Sequence, residues 1–201
     1  DYDSFNGSYF GGGQYADLLG NPSRMAEYDI IFFNCGMDDS WSFGYGPISL
    51  NEIRQNVRQF VQDGGSIYAS DWAYYMIEAP FPNMITFVGS DNSYGNAQVG
   101  ESGVYNVDVL DPTLKGILGS NSATINYDLP SWVVPEKAST ADVLVRGTVS
   151  YYENYVNLKT RTVPLLLAGE DNGRVMFTSF HNEAQLTVDM RRILENEIFS
   201  L

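Results

Sequence analysis

The chain has 201 residues, which fits one large domain, and 44% of them are hydrophobic, enough for a substantial core. Its 25 acidic residues outnumber the 11 basic ones, giving a net charge of −14, which repels phosphate backbones and anionic lipid and argues against nucleic-acid or membrane-surface binding. No apolar run reaches the ~18 residues that span a bilayer. Cys35 is the single cysteine, so the chain cannot form an intrachain disulfide.

Aromatic residues are frequent, with 14 Tyr, 11 Phe and 3 Trp. Trp41, Tyr45 and Trp72 lie in loop-like segments, where aromatic side chains suit protein or glycan partners. The low lysine content, with abundant Tyr, Ser, Asn and Gly, predicts an exported protein. Because the chain begins at Asp1 without Met, we expect a processed or excised chain.

The first half of the chain predicts a β-α-β unit. Residues 1–24 are rich in Gly, Asn, Ser and Tyr, which predicts a loosely structured entry segment. Residues 28–34 form a continuous apolar strand, and Ser49 to Glu52 has the form of a helix capping box. The helix is expected to end at Gly64-Gly65, and residues 66–70 form the next strand. Such short connections imply two parallel strands with a right-handed crossover.

The rest of the chain is richer in strand signals. Residues 80–160 predict a β-rich middle portion with one helical turn between Asp111 and Gly119. Two apolar runs then flank Asp171-Asn172-Gly173, which indicates a hairpin, and a helix over 187–199 closes the chain. The expected strands are 84–88, 103–109, 123–127, 143–149, 163–168 and 174–180.

His181 is the one histidine, and it follows directly after the apolar run 174–180. In an open α/β sheet the carboxyl ends of the strands are where ligands collect. Histidine is also the side chain best suited to proton transfer near neutral pH. The run therefore indicates a site at this sheet edge, with Glu183 two residues further on.

Three pieces of the chain resemble the class I glutamine amidotransferase-like superfamily. Residues 28–36 look like the strand and oxyanion loop, residues 60–70 like the helix, Gly-Gly and strand before the nucleophile, and Phe180–Glu183 like the family's Phe-His-Pro-Glu. The resemblance covers about half of the chain. It implies one domain over 1–201 with an α/β, flavodoxin-like three-layer sandwich and a mostly parallel central sheet. The β-rich middle portion is an insertion, and the late hairpin precedes the C-terminal helix.

The chain departs from this family at the nucleophile. The family places Cys in a Gly-x-Cys-x-Gly elbow, whereas residues 68–73 read Tyr-Ala-Ser-Asp-Trp-Ala. Cys35 follows a different strand, so we expect no thiolate-dependent glutaminase. Serine members of the superfamily, such as the peptidase E-like hydrolases, imply Ser70 as a nucleophile. Trehalose-utilisation-type and galactosidase-trimerisation domains resemble the chain in their Val-x-x-Gly-Gly lead-in.

Two functions follow. The favoured one is a non-catalytic, exported binding or assembly domain whose binding residues are Asp71, Trp72, Trp41 and Tyr45. The alternative is a serine hydrolase in which Ser70 attacks, His181 moves the proton and Glu183 orients the imidazole. The amides of Cys35 and Gly36 would then stabilise the oxyanion. The hydrolase needs the Ser70 hydroxyl within about 3.5 Å of a His181 ring nitrogen.

No cofactor and no metal site is predicted. Several acidic residues could contribute to a calcium site, although their spacing matches no recognised calcium-binding loop. The alternative is that they cap helices or lie in solvated turns. These residues are Asp38-Asp39, Asp108, Asp111 and Asp128. No strand precedes the one at Tyr28, so we expect an open sheet edge at which a second copy could add a strand.

Overall fold

The computed structural model describes residues 2–7, 14–35, 48–89, 96–170, 172–181 and 186–200. The described helices are α1 (Gln14–Leu19), α2 (Pro22–Met25), α3 (Leu50–Gln62), α4 (Tyr75–Glu78), α5 (Pro112–Leu118) and α6 (Val188–Ser200), with a 3₁₀ turn over Asp71–Tyr74. The strands are β1 (Ile30–Phe33), β2 (Ser66–Ser70), β3 (Ile85–Phe87), β4 (Val99–Gly100), β5 (Gly103–Val109), β6 (Ser122–Tyr127), β7 (Trp132–Val133), β8 (Pro135–Ala138), β9 (Asp142–Glu153), β10 (Asn157–Glu170) and β11 (Arg174–Thr178). Among these residues, no helix is both long and apolar enough to cross a membrane.

The chain is α/β, but its main sheet is mixed. Its strands run in the order β1-β2-β11-β10-β9-β4-β7, with β5 bridging β9 and β6. The β1–β2 and β2–β11 pairs are parallel, whereas the other described pairs are antiparallel. The expected mostly parallel sheet is therefore restricted to three strands. The physical reason is that short hairpin connections, such as the one between β10 and β11, can join antiparallel neighbours only.

The predicted β-α-β unit is confirmed. The Ser49 hydroxyl accepts a hydrogen bond from the Glu52 amide at 3.3 Å and caps α3. After α3, the Gly65 amide bonds the Phe60 carbonyl at 3.0 Å, and Gly64 takes a φ of +103°. This left-handed geometry suits glycine, so Gly64 lets the chain turn sharply into β2.

The N-terminal segment differs from the loose entry expected over residues 1–24. The described residues from Gln14 to Met25 are mostly helical, as α1 and α2. Asn21 caps α2, since its side chain accepts a hydrogen bond from the Arg24 amide at 3.2 Å. Leu18 and Leu19 are buried in the core. Burial of this apolar pair outweighs the Gly-rich composition of the preceding stretch, of which residues 8–13 lie outside the described ranges.

Helices cover both faces of the parallel strands. Alternate residues of β2 point to opposite faces, so Ile67 joins the core beneath α3 and Tyr68 joins the core beneath α6. Strand β11 repeats the pattern with Phe177 and Met176. This layering brings the carboxyl ends of β1, β2 and β11 side by side on one edge of the sheet.

Strand β1 is the first strand in the sheet order, and among the described strands it pairs with β2 alone. Residues 2–7 lie across a cleft of about 860 Å³ from β1, and the Tyr28 hydroxyl donates to the Asp3 carboxylate at 2.5 Å. Among the described strands, β1 is therefore at the end of the sheet order. Self-association by strand addition stays a prediction, and a mass measured by light scattering that does not change with concentration would contradict it.

Candidate functional site

Three side chains from three neighbouring strands converge at the carboxyl edge of the parallel strands. Cys35 follows β1, Asp71 follows β2 and His181 follows β11. One polar atom from each lies within 4.8 Å of those from the other two. The convergence is a direct result of sheet order, because β2 lies between β1 and β11 with both neighbours parallel to it.

Asp71 is the best-anchored member of this cluster. Its Oδ2 lies 2.8 Å from the His181 Nε2, and its Oδ1 accepts a hydrogen bond from the Val133 amide at 2.6 Å. The side chain is only 4% exposed. The backbone of Asp71 has a φ of +47°, a left-handed conformation that disfavours non-glycine residues. Such backbone geometry persists where surrounding contacts hold it, and it aims this carboxylate at the imidazole.

The electrostatics of the pair follow from burial and from these hydrogen bonds. The hydrogen bond to Asp71, followed by that to Cys35, raises the pKa of His181 to about 10, although partial burial acts in the opposite direction. Burial raises the pKa of Asp71, while its bonds to His181 and to the Val133 amide act to lower it. The two groups are therefore coupled through one hydrogen bond, and each influences the titration of the other. The Nε2 of His181 is already engaged by Asp71, so this ring nitrogen faces a carboxyl oxygen rather than a hydroxyl nucleophile.

The pair borders a pocket of about 200 Å³ with an aromatic wall. The aromatic side chains are those of Trp72 in the 3₁₀ turn, Tyr127 and Trp132 in the β6–β7 segment, and Phe180 after β11. Leu186 and Met190 line the pocket from the C-terminal region. The full lining is Cys35, Asp71, Trp72, Asn126, Tyr127, Asp128, Leu129, Pro130, Ser131, Trp132, Ser179, Phe180, His181, Leu186 and Met190.

Hydrogen bonds fix the wall and the rim of this pocket. The rings of Tyr127 and Trp132 stack with centroids 3.9 Å apart and planes inclined by 15°. The Tyr127 hydroxyl lies 2.6 Å from the Ser179 hydroxyl. The half-buried Trp72 donates from its Nε1 to the Ser131 carbonyl at 2.8 Å, which ties the exposed rim to the 3₁₀ turn. The pocket is therefore preformed on its aromatic side.

The predicted site residues fall into three groups. His181, Asp71, Trp72 and Cys35 line the pocket together. Ser70 is 1% exposed at the end of β2, opposite Thr178 of β11, and is not among the lining residues. Glu183, Gly36, Trp41, Tyr45 and the Asp38-Asp39 pair lie outside the described residues.

Two of the acids weighed for calcium have partners of their own. Asp108 pairs with Arg146 at 3.4 Å, and Asp111 caps α5 by accepting from the Leu114 amide at 2.8 Å. Asp128 lines the pocket. Within the described ranges, Cys35, Asp71 and His181 form the one group of three potential metal ligands.

Sequence reasoning missed two features of the site. Cys35 was expected to contribute its backbone amide, whereas its thiol lies with His181 and Asp71. The signal was available, because a parallel sheet order that places β1 beside β2 brings both strand ends together. The residues of the β6–β7 segment, such as Asn126 and Trp132, carried no such signal, since their place at the pocket depends on the pairing of distant strands.

Comparison with known proteins identifies the fold but not the activity. No protein-family profile matches the chain. No curated protein matches it either. A cytoplasmic protein from Salmonella typhimurium superposes with a TM-score of 0.56 at 14% identity, covering 90% of this chain and 74% of that one. A putative ThuA-like protein from Bacteroides uniformis gives 0.55 at 10% identity, with 90% and 73% covered.

A second putative ThuA-like protein, from Parabacteroides merdae, gives a TM-score of 0.50 at 15% identity and covers 80% of this chain and 62% of that one. ThuA-like proteins have the class I glutamine amidotransferase-like fold. At such low identities the likeness concerns the fold alone.

Proposed function

We propose that this chain is a non-catalytic binding domain that takes a small, uncharged polyhydroxy molecule of the monosaccharide class in the pocket beside Asp71 and His181. The observation that carries the proposal is the combination of the hydrogen-bonded Asp71–His181 pair with an aromatic wall in one pocket. Aromatic faces pack against the apolar faces of a sugar ring, while fixed charged and amide groups bind its hydroxyls.

The size of the pocket favours a single ring. Pockets for drug-sized ligands run from roughly 300 to 1,000 Å³, and this one has about 200 Å³. At the low end of ligand efficiency, about 0.3 kcal/mol per heavy atom, a ligand of about a dozen heavy atoms has a Kd in the millimolar range. A weak affinity of this order calls for a method that detects fast exchange.

The charge of the protein favours a neutral ligand. Asp71 is balanced by His181, but Asp128 also lines the pocket, and the whole chain carries a net charge of −14. A carboxylate or phosphate on the ligand would meet this field unfavourably. The polar groups left for a neutral ligand include the Asn126 amide and the outward side of the Asp71–His181 pair.

The non-catalytic part of the proposal has two supports. The segment that would hold the family's nucleophile reads Ser70-Asp71-Trp72, so we regard the chain as a divergent member without the elbow cysteine. The Nε2 of His181 is bonded to Asp71 Oδ2 at 2.8 Å, so this ring nitrogen is not paired with the hydroxyl that a serine mechanism needs. Export of the protein remains part of the proposal, and fractionation of the source cells with an antibody would test it.

The test is a ligand titration followed by NMR. Glucose, galactose and xylose would be added to the wild type, to Trp72→Ala and to Tyr2→Ala, a control that removes an aromatic residue that is 91% exposed. We expect at least one sugar to shift the His181 ring resonances of the wild type and of Tyr2→Ala but not those of Trp72→Ala. A stronger response to the matching uronic acids, or none to any sugar, would contradict the proposal.

The serine hydrolase alternative has its own test. A fluorophosphonate probe would be applied to the wild type, Ser70→Ala and His181→Ala, with folding checked by circular dichroism. Labelling of the wild type that disappears in both variants would establish an activated serine and replace the binding proposal. The binding proposal expects no labelling.

A further inference from the structure

We propose that Cys35, Asp71 and His181 are three ligands of a transition-metal site of the zinc class, with its fourth position open to the pocket. The inference deepens the proposed function, since a metal at this place would bind a hydroxyl of the ligand. It rests on the same pocket but on different residues from the aromatic wall.

The spacing of the three side chains suits a single ion. Zinc takes thiolate at ~2.3 Å and imidazole or carboxylate at ~2.0–2.2 Å, so tetrahedral ligands stand about 3.3–3.7 Å from one another. The three potential ligand atoms lie within 4.8 Å of one another. The Asp71–His181 contact of 2.8 Å would open by about 0.5 Å to admit the ion. Side-chain rotation is sufficient for such a change.

The second contact of Asp71 prepares it for this role. Its Oδ1 is held by the Val133 amide, which leaves Oδ2 to face the other two ligands. Metal-bound carboxylates commonly have their second oxygen bonded in this way, because the outer contact fixes the orientation of the ligand. Burial of the side chain adds to this fixation.

The chemistry of the three ligands selects the class of metal. A thiolate, a carboxylate and a neutral imidazole carry two negative charges in total, which matches a dication. Thiolate and imidazole favour zinc and related transition metals over calcium and magnesium, which prefer oxygen ligands. The ion would take the place of the proton that joins Asp71 to His181, so the site differs from both the metal-free and the calcium expectations drawn from the sequence.

The number of ligands among the described residues indicates an open site, since these residues supply three. Structural zinc sites use four protein ligands, whereas sites that bind a water or a substrate use three. The three side chains line the pocket together, so the remaining position is available to a pocket ligand. A hydroxyl bound there would be oriented by the metal and packed by the aromatic wall.

The experiment uses the metal alone. Protein freed of metal with a chelator and then desalted would be titrated with zinc chloride by calorimetry and with cobalt chloride by absorption spectroscopy. The variants are Cys35→Ser and His181→Gln, and the matched control is Asp108→Asn, an exposed carboxylate that pairs with Arg146. Circular dichroism of each metal-free variant separates lost binding from lost folding.

We expect one zinc per chain, a near-ultraviolet thiolate-to-cobalt absorption band in the wild type, and the same results for Asp108→Asn. Cys35→Ser should lose the cobalt band, and both ligand variants should bind zinc at least about tenfold more weakly. Absence of the band, or zinc binding unchanged in Cys35→Ser, would overturn the inference.

The same proteins separate this inference from the proposed function. Trp72→Ala should bind zinc like the wild type, because Trp72 is not a ligand, but it should lose sugar binding. If the wild type binds sugar in excess chelator and shows no cobalt band, the metal inference fails while the binding function holds. If the protein binds zinc but no sugar, the metal inference holds while the proposed binding function fails.

Discussion

Asp71 and His181, 110 residues apart in the sequence, are joined by a 2.8 Å hydrogen bond between Oδ2 and Nε2. The bond links the turn after β2 to the end of β11, two strands that are already parallel neighbours. Its geometry is set from both sides, by the left-handed backbone of Asp71 and by the Val133 amide on its other oxygen. This relationship governs the ionisation of Asp71 and His181.

The single histidine makes this ionisation directly measurable. Asp71→Asn removes the carboxylate but keeps the shape of the side chain, and asparagine tolerates the left-handed backbone conformation. The pKa of His181 should therefore fall from about 10 toward its ordinary value of 6.5. NMR titration of the imidazole resonances measures both values without assignment, because no second histidine contributes. Asp108→Asn should leave the titration unchanged, and an equal pKa in all three proteins would contradict the role of Asp71.

The pH dependence of stability has a defined sign. Folding raises the pKa of His181 from 6.5 to about 10, so the folded state binds the proton more tightly than the unfolded one. The stabilisation is therefore complete below 6.5 and is lost as the pH rises through about 10. Urea unfolding of the metal-free wild type and of His181→Gln should differ by roughly 1–3 kcal/mol near neutral pH. The difference should shrink in alkali, and a gap that widens with pH would refute the assignment.

Substitution of Gly173 and of Gly116 by alanine compares a closely packed glycine with one in open space. A Cβ on Gly173 would overlap the carbonyl oxygen of Gly65, whereas a Cβ on Gly116 in α5 would have no neighbour within 4 Å. We expect Gly173→Ala to lower the free energy of unfolding by roughly 1–3 kcal/mol or more. Gly116→Ala should raise it by about 0.5–1 kcal/mol, because alanine is the better helix former. Equal effects in chemical denaturation would contradict the packing of Gly173 on Gly65.

Asp111 distinguishes a helix cap from a calcium ligand. Its side chain accepts from the Leu114 amide, so Asp111→Ala should lower the free energy of unfolding by about 1 kcal/mol, with or without calcium. Asp111→Asn keeps an oxygen at the cap and should lose much less. A melting temperature that rises on addition of calcium in the wild type, and not in Asp111→Ala, would favour the calcium alternative instead.

Local signals in the sequence were sufficient for the elements that position the site. The capping box at Ser49 predicted the start of α3, and the apolar run before His181 predicted β11. Both depend on contacts within a few residues. The turn between β9 and β10 was not predicted, because it contains no glycine as a signal, although Asn154 and Tyr155 both take positive φ. Strands β9 and β10 therefore extend beyond the expected 143–149 and 163–168.

The composition of the candidate site was only partly predictable. His181 and Asp71 follow apolar strands, and strand ends of this kind are where sites are expected. The place of Cys35 beside Asp71 follows from the predicted parallel pair of β1 and β2, whereas the partnership of Asp71 with His181 depends on the position of β11 in the strand order, which no local pattern fixes. The aromatic wall depends in addition on antiparallel pairing of β4 with β7 and β9.

The position of β11 also governs when the site can exist during synthesis. It comes last among the described strands in the sequence, yet it lies between β2 and β10. On a ribosome, the N-terminal strands and the long hairpin are made first and have no direct contact as neighbours until residues 174–178 emerge and insert between them. A nascent chain that ends before β11 lacks both the strand that joins these two parts of the sheet and His181, so the Asp71–His181 pair can form only after the last strand has been made.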